Sequence, residues 1–349
     1  MKITVTKLPK SEVQVLITVP ADTLETYKTK ALKRVQETVE ADGFRKGSVP
    51  ENIIVKQYGE MILLEEMAHL ALQDAYVQAI NEHKLSPIAE PKVSITKLAK
   101  GNPLEMTLTV PVMPELTLPD YKKVAEKASK DLTVESVTDK DIEDVLKELA
   151  KGRSHEQFHK HHPDHEGHDH KEEDMVIPEI DDAFAQSFGD TFKTLDDLKA
   201  KVRENLGLEK KQKHIEKKRT AIVEALIKET KVEVPDALVE SELNRMLMQM
   251  KGDVTRYGGT WEDYLTYAKK TEEELKATWR EDALKRSISQ LVLAEISALE
   301  KIAPTEEEIE TELIRLLAQV QDADEDRARA YLNQVLTNEK VLKFLGSDE

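Results

Sequence analysis

The sequence predicts an α+β protein: a small ββ–helices–ββ domain at the N-terminus, followed by an extended all-α helical domain with long arms. Three observations carry that expectation. Apolar residues alternate with period 2 at both ends of residues 1–112, the pattern of half-buried strands. Beyond residue 176 they recur at steps of three and four, and Thr-x-x-Asp/Glu strings punctuate the chain as helix starts. The 349 residues include only 12 Gly and 13 Pro, too few for a loop-rich all-β fold. At roughly 150 residues per domain, the length suggests about two domains.

The elements follow in order. Ile3 and Val5 share one face of a first strand, and Val13, Val15, Ile17 and Val19 one face of a second. Pro20-Ala-Asp-Thr opens a helix with the stripe Leu24, Tyr27, Ala31, Val35 and Val39. It stops at Asp42-Gly43, since glycine tolerates the positive φ found just past many helix ends. After a loop, a helical stretch runs to about Lys84, with Leu64, Met67, Ala71 and Ala75 as its stripe, widened by Leu72, Tyr76 and Ile80. Two strands follow, one carrying Val93 and Ile95, the other Leu104, Met106, Leu108, Val110 and Val112. Lys100-Gly101-Asn102-Pro103 joins them as a hairpin.

Residues 113–151 read as an extended connector and a short helix. Pro114 and Pro119 interrupt 113–133, where no period is visible, and Ile142, Val145, Leu146 and Leu149 form one face of a helix over 138–151. Residues 152–175 form a His-rich linker. It holds 7 of the chain's 10 His, one aromatic residue (Phe158) and almost no aliphatic ones, so it cannot bury a core and is expected to be disordered.

Residues 176–349 are the helical domain. Thr194-Leu-Asp-Asp, Thr260-Trp-Glu-Asp, Thr271-Glu-Glu-Glu and Thr305-Glu-Glu-Glu resemble capping boxes. Pro235 and Pro304 suit the first turn of a helix. A long helix is expected over 271–301, 31 residues or about 46 Å at ~1.5 Å per residue, with Leu284, Ile288, Leu291, Val292, Ile296 and Leu299 as its stripe.

Composition narrows the function. Lys and Arg total 51 against 68 Asp and Glu, a net charge of −17 that disfavours the chain as a whole as a binder of DNA or other nucleic acid, while leaving room for a local basic patch. With 0 Cys there is no disulfide framework, Cys-based zinc site or thiol nucleophile. No apolar run approaches the roughly 20 residues that span a bilayer. No apolar run follows a basic start, so a cytoplasmic protein without membrane contact is expected. There is no HExxH, no phosphate-cradling glycine loop and no Ser/His/Asp grouping at useful local spacing.

Three candidate sites stand out. Gly43-Phe44-Arg45-Lys46-Gly47-Ser48-Val49-Pro50 lies between two helices, its glycines and proline fixing a tight loop that holds an aromatic ring and two cations outward. Arg45 and Lys46 can pair with phosphates or carboxylates, and Phe44 can enter an apolar cleft or stack on a base. Lys30, Lys33 and Arg34 extend the basic face at helical spacing. On pattern alone, an ordinary helix–helix turn with solvated cations is the favoured reading of the loop. The second candidate is His155, His159, His161, His162, His165, His168 and His170. Imidazole suits Zn, Ni and Cu, and two pairs, 155/159 and 161/165, stand at i,i+4. A polar tether with adventitious Zn or Ni is the simpler reading. The third is Met246, Leu247, Met248 and Met250, whose flexible thioethers suit either helix core or a surface accepting many partners. Trp261, Tyr264, Tyr267 and Trp279 form a further apolar group, with Trp279 placed in the core by its neighbours on the long helix stripe.

GFRKGSVP resembles the ribosome-docking signature of the trigger factor family, the bacterial chaperone at the nascent-chain exit: Gly43, Phe44, Arg45, Gly47 and Pro50 match the Gly-Phe-Arg-x-Gly-x-x-Pro pattern, and Lys46 the basic residue beside Arg. The ββ–helices–ββ order of 1–112 is similar to that family's ribosome-binding domain. Residues 177–206, 234–247 and 271–302 resemble segments of its helical client-binding domain. The resemblance implies an ATP-independent chaperone that docks at the exit-tunnel protein and rRNA and holds nascent and unfolded polypeptides, with no cofactor. Whether the free protein forms a homodimer stays open. The family's FKBP-type peptidyl-prolyl isomerase domain needs on the order of a hundred residues. Only 25 separate Lys151 from Ile177, so isomerase activity is not expected. A metal-storage or metal-delivery protein built on the His-rich linker is the alternative of a different class.

Overall fold

The computed structural model describes residues 1–161, 177–189, 191–319 and 324–348, with 156–161 described by backbone alone; all structural statements concern these residues. In chain order the first elements are β1 (Lys2–Leu8), β2 (Glu12–Val19), α1 (Ala21–Glu25), α2 (Lys28–Thr38), α3 (Glu51–Tyr58), α4 (Met61–His83), β3 (Lys92–Lys97) and β4 (Leu104–Pro111). There follow α5 (Tyr121–Ser129), α6 (Asp139–His161), α7 (Asp182–Gln186), α8 (Leu195–Glu229), α9 (Asp236–Arg256), α10 (Trp261–Ala268), α11 (Glu272–Glu300), α12 (Glu306–Gln319) and α13 (Glu325–Phe344). This is the α+β class the alternation predicts, with strands confined to the N-terminal part.

The chain divides into two units, each assembled from segments distant in sequence: Met1–Leu118 with Glu229–Glu295, and Pro119–Lys228 with Ile296–Glu349. In the first, the strands form one antiparallel sheet in the order β1-β2-β4-β3. Val15 stands opposite Val5 and Leu108, and Ile17 opposite Ile3 and Met106, so the apolar period lies in register across the strands. That face is buried with Leu64 and Met67 of α4 and with Ala68, Ala71, Ala75 and Ala79, whose small side chains let the helix lie close to the sheet. The other face is polar and rich in threonine (Thr4, Thr6, Thr18, Thr107 and Thr109) as period 2 requires. The helix expected from Pro20 onward is two pieces, broken where the Thr26 hydroxyl turns back to the Thr23 carbonyl at 2.6 Å. The next stretch is likewise split, at Gly59 with φ +85°. Farther along the same unit, Val234, Val239, Leu243 and Ala283 form a core lined by Trp279, Met246, Ile288 and Leu291, which places Trp279 in the core as its spacing predicts.

In the second unit, Ile142, Leu146 and Ala150 of α6 pack with Phe184 and Ala185 of α7 and Leu198 and Val202 of α8. A separate cluster joins Leu313 of α12 to Ala328 and Leu332 of α13.

Two readings of this region need correction. The supposed extended connector contains α5, capped by the Asp120 carboxylate, which accepts from the Lys123 amide at 3.3 Å. Only Val124 and Ala125 of that helix are buried, too few apolar positions for a visible period. The helix expected to end near residue 151 runs on through His161. Polar residues after Gly152 do not forbid a helix, and Pro163 is the first residue whose ring does.

Three of the four capping boxes form in full, and the one at Thr260 forms by half. The Thr194, Thr271 and Thr305 amides donate to Asp197, Glu274 and Glu308 at 2.9, 2.9 and 2.7 Å, and the reciprocal amides return to the Thr hydroxyls at 3.3, 3.2 and 3.3 Å. At Thr260 the Asp263 amide donates to the hydroxyl at 3.2 Å. A fifth box, Thr138 with Asp141, escapes the sequence reading. The stripe of α11 also needs amendment. Val292 and Ile296 are buried, but Leu284 and Leu299 are exposed, and Leu275, Ala283 and Leu293 take buried places.

Candidate functional site

The segment between α2 and α3 is pinned at both ends by apolar side chains. Val39 and Val49 are buried with Val35, Ile54 and Leu63, so the residues between them must leave the core and return. Gly43 and Gly47 make that excursion tight, at φ +84° and +86°, a region where side-chain-bearing residues are strained. Beyond the adjoining residues, no heavy atom lies within 4 Å of where a Cβ would sit on either, so glycine serves the backbone angle here rather than close packing.

Backbone and side-chain bonds complete the loop. The Phe44 amide donates to the Ala41 carbonyl at 3.1 Å, and the Ser48 amide and hydroxyl both donate to the Arg45 carbonyl, at 3.0 and 2.7 Å. The Gly47 amide donates to the Gln36 carbonyl at 2.9 Å, and the Gln36 side chain donates to the Val49 carbonyl at 2.8 Å. Pro50 precedes α3 at φ −64°, and its carbonyl accepts from the amides of Ile53 and Ile54.

These bonds leave Phe44 43% exposed, an uncommon place for a phenylalanine, with Arg45 and Lys46 exposed beside it. Among the described residues, neither cation has a carboxylate at ion-pair distance, whereas nearby Arg34 is paired with Glu66 at 3.2 Å and Lys28 with Glu51 at 2.8 Å. Of the predicted basic extension, Lys30 and Lys33 remain exposed, while Arg34 is partly neutralised. An apolar ring flanked by two unneutralised cations on a braced loop can seat the ring in an apolar socket while the cations meet an anionic surface. Gln36 is the residue sequence reasoning missed. A glutamine inside a helix carries no signal that it brackets a loop.

The methionine patch splits. Leu247 is buried, Met246 packs against the core containing Trp279, Met250 is partly buried, and Met248 is 70% exposed. Only Met248 therefore offers its thioether outward. Trp261 stacks on Tyr264 with centroids 5.2 Å apart and donates to Glu272 at 2.7 Å. In the second unit, Ile314, Tyr331 and Val335 are exposed on α12 and α13, apolar positions the sequence reading did not single out, although the i,i+4 spacing of the last two was visible.

His155 lies in α6, followed by His159 and His161 on the same helical backbone; His162, His165, His168 and His170 lie outside the described residues. Among the described residues no group of three or more His, Asp or Glu is placed to hold a metal ion, and no helix is long and apolar enough to cross a membrane.

Comparison with known proteins gives a consistent picture. Residues 1–149 match the family model described as bacterial trigger factor protein (TF), and residues 194–346 match that described as bacterial trigger factor protein (TF) C-terminus. A trigger factor of Alkaliphilus metalliredigens is 26% identical, covering 91% of each chain, and one of Latilactobacillus sakei is 28% identical over 87% of this chain and 86% of that one. One of Clostridium tetani is 26% identical over 433 aligned positions, covering 99% of this chain and 98% of the relative. Since this chain has 349 residues, that alignment spans at least 84 residues of the relative with no counterpart here. A solved structure, from work on promiscuous substrate recognition in folding and assembly activities of the trigger factor chaperone, shares the fold at TM-score 0.56 and 19% identity, covering 99% of both chains.

Proposed function

The chain belongs to the trigger factor family of chaperones, and we propose that it docks at the ribosomal exit through Phe44, Arg45 and Lys46 and holds nascent or unfolded polypeptides without ATP. The observation that carries the docking is the braced loop: an exposed ring and two unneutralised cations held between glycines at positive φ, at positions matching the family's docking signature. In this reading Phe44 inserts into a ribosomal protein while Arg45 and Lys46 meet carboxylates or rRNA phosphates. Gly43, Gly47 and Pro50 set the backbone that presents them. Exposed apolar side chains on the helices, Met248 on α9 and Ile314, Tyr331 and Val335 on α12 and α13, supply weak contacts from which a client can leave without a fuel step. The net charge of −17 keeps such a surface dispersed in the cytoplasm.

We also infer that the chain does not catalyse prolyl isomerisation. Support comes from the 44 residues between the two family matches and from the closure of the chain on either side. Helices α6 and α7 share one core, and Arg153 of α6 donates to the Ser187 carbonyl and stacks over Phe188 at 4.7 Å. Segments so joined tolerate gain or loss of an inserted module between them.

The docking proposal is tested by co-sedimentation. The triple variant F44A/R45A/K46A should fold as the wild type does, because all three side chains are exposed, and should no longer pellet with ribosomes. Wild-type pelleting by the triple variant would refute the assignment.

A further inference from the structure

We propose that the outer edge of β3 is a strand-addition site that takes an extended, acidic segment of an unfolded client. It rests on the client-holding reading above and adds to it a site outside the docking loop and the helical arms. The order β1-β2-β4-β3 leaves β3 bonded to β4 on one side, and among the described residues nothing bonds the backbone of its other side. Such a row of unpaired amides and carbonyls recognises the backbone of another extended chain, and pockets or charges for alternate side chains then select among chains. Val93 stands opposite Leu108 and Ile95 opposite Met106, on the sheet face that packs against α4. Leu108 and Met106 are buried, yet Val93 and Ile95 are 43% and 46% exposed, as is every residue of β3 to a similar or greater degree of openness. The apolar face of the sheet therefore runs one strand beyond its cover. At the opposite edge, β1, the corresponding Ile3 and Val5 pack against the core. A further strand beside β3, with apolar residues next to Val93 and Ile95, continues the face and shields it.

Charge selects the occupant. Lys92, Ser94 and Lys97 stand opposite Thr109, Thr107 and Glu105, on the polar face of the sheet. Among the described residues Lys92 has no carboxylate at ion-pair distance, and Lys97 has only Glu105, at 3.7 Å. These lysines oppose pairing with a second copy of β3. Antiparallel and centred, that copy sets Lys92 against Lys97; parallel, it sets each lysine against itself, and like charges directly opposite destabilise a strand pair. Acidic residues at the same two places turn the repulsion into attraction. The chain's net charge of −17 does not cancel this, because at physiological ionic strength charges beyond about 8 Å are largely screened. The fitting segment thus alternates, with apolar residues beside Val93 and Ile95 and carboxylates beside Lys92 and Lys97.

The experiment is fluorescence anisotropy of the full chain with labelled heptapeptides whose sequence reads the same in both directions, so that strand polarity does not matter: Thr-Glu-Val-Thr-Val-Glu-Thr and its basic counterpart Thr-Lys-Val-Thr-Val-Lys-Thr. The acidic peptide should bind at least about fivefold more tightly than the basic one. K92E should narrow or reverse that preference. V93T/I95T keeps β-branched residues at exposed positions and should weaken the acidic peptide at least about fivefold. Both variants should pellet with ribosomes as wild type does. Two further forms of the acidic peptide, N-methylated at its odd or at its even residues, test main-chain pairing. A single edge uses the amides of one side only, so one form should bind as the parent does and the other should not bind. That pair needs no protein variant and decides the matter even where V93T/I95T folds poorly. The proposal is overturned if wild type binds neither heptapeptide, if K92E and V93T/I95T bind the acidic one as wild type does, or if the two methylated forms bind alike. A wild-type dimer that V93T/I95T turns into monomers would assign the edge to a second copy and overturn the client assignment. The client-holding reading fails separately, where wild type binds the acidic peptide but leaves a denatured client to aggregate.

Discussion

The Gly47 amide donates to the Gln36 carbonyl at 2.9 Å, and the Gln36 side chain reaches past it to the Val49 carbonyl at 2.8 Å. One residue near the end of α2 thus grips the returning limb of the Phe44–Arg45–Lys46 loop twice, once through its backbone and once through its side chain. If docking depends on a pre-shaped loop, variants that spare all three contact residues should still weaken it. Q36A removes one part-buried hydrogen bond, worth about 1 kcal/mol of stability. G47A forces a side chain to φ +86° and should cost roughly 1–2 kcal/mol through backbone strain. Both should reduce ribosome co-sedimentation severalfold, and chemical denaturation supplies the stability values. Unchanged binding in both would show that the loop is shaped by its partner instead.

The ring and the cations of that loop should separate in their salt dependence. Contacts to phosphate release counterions, so the logarithm of affinity falls with the logarithm of salt in proportion to the number of contacts. R45Q/K46Q should flatten that slope by about 1.4–1.8, the change expected from two lost phosphate contacts. F44A should lower affinity at every salt concentration and leave the slope alone. Equal slopes for R45Q/K46Q and wild type would assign the two cations to carboxylates or to no contact.

Acid should loosen the second unit at identifiable helix starts. The Glu308 carboxyl is held at about 2, against an ordinary 4.5, first by the Lys340 ammonium at 2.6 Å and then by the Thr305 amide. Asp141 is held at about 2, against 3.8, first by Lys210 at 2.7 Å and then by the Thr138 amide. A carboxyl whose pKa is lower folded than unfolded binds fewer protons in the native state. Its contribution is complete above the unfolded value and drains away as pH falls toward the folded one. Tm should therefore drop between about pH 4.5 and 2. E308Q keeps the capping geometry and removes the charge, so its Tm should lie below wild type at pH 6 and converge on it near pH 2. A constant gap across that range would rule out the charge as the cause.

Much of this architecture was legible because it rests on local rules. Alternation at Val13–Val19 and Leu104–Val110 reports which face meets α4, and the Thr-x-x-Asp/Glu boxes report helix starts, since each satisfies its own end groups within four residues. Helix α5 was not legible, because two buried residues make no period and its partners lie far away in sequence, as with Tyr121 and Glu300 at 2.7 Å. The extent of α6 was hidden because a run of His, Glu and Lys reads as solvated chain whether or not it is helical. In the docking loop, Gly43 and Gly47 announced the turn, but the role of Gln36 depends on a contact across 13 residues that no spacing rule encodes.

A proline-limited refolding reaction checks the inferred loss of isomerase activity. Uncatalysed isomerisation takes tens of seconds to minutes at 25 °C. With this protein present at catalytic concentration the slow phase should keep its rate, while aggregation of a denatured client without nucleotide should be suppressed. Acceleration of the slow phase would place catalysis somewhere in this shorter chain.

Leu247 and Met248 are neighbours on α9 with opposite environments, which makes them a matched probe of client binding. Leu247 is 6% exposed, so L247A leaves a hole in packed structure and should cost about 2–5 kcal/mol. Met248 is 70% exposed, so M248A removes little burial and should alter stability by less than about 0.5 kcal/mol. If the exposed thioether contacts clients, the order reverses when aggregation suppression is measured well below both melting temperatures. M248A should weaken it by up to a few-fold and M248E by more, since a charge must be desolvated against an apolar client. L247A should retain it as long as the protein stays folded. A client surface and a core residue differ in that crossing of stability against activity, and not in either measurement alone. Were M248E to hold clients as well as wild type, α9 would drop out of the client surface, and the exposed residues of α12 and α13, Ile314 and Tyr331, would be the positions to alter next.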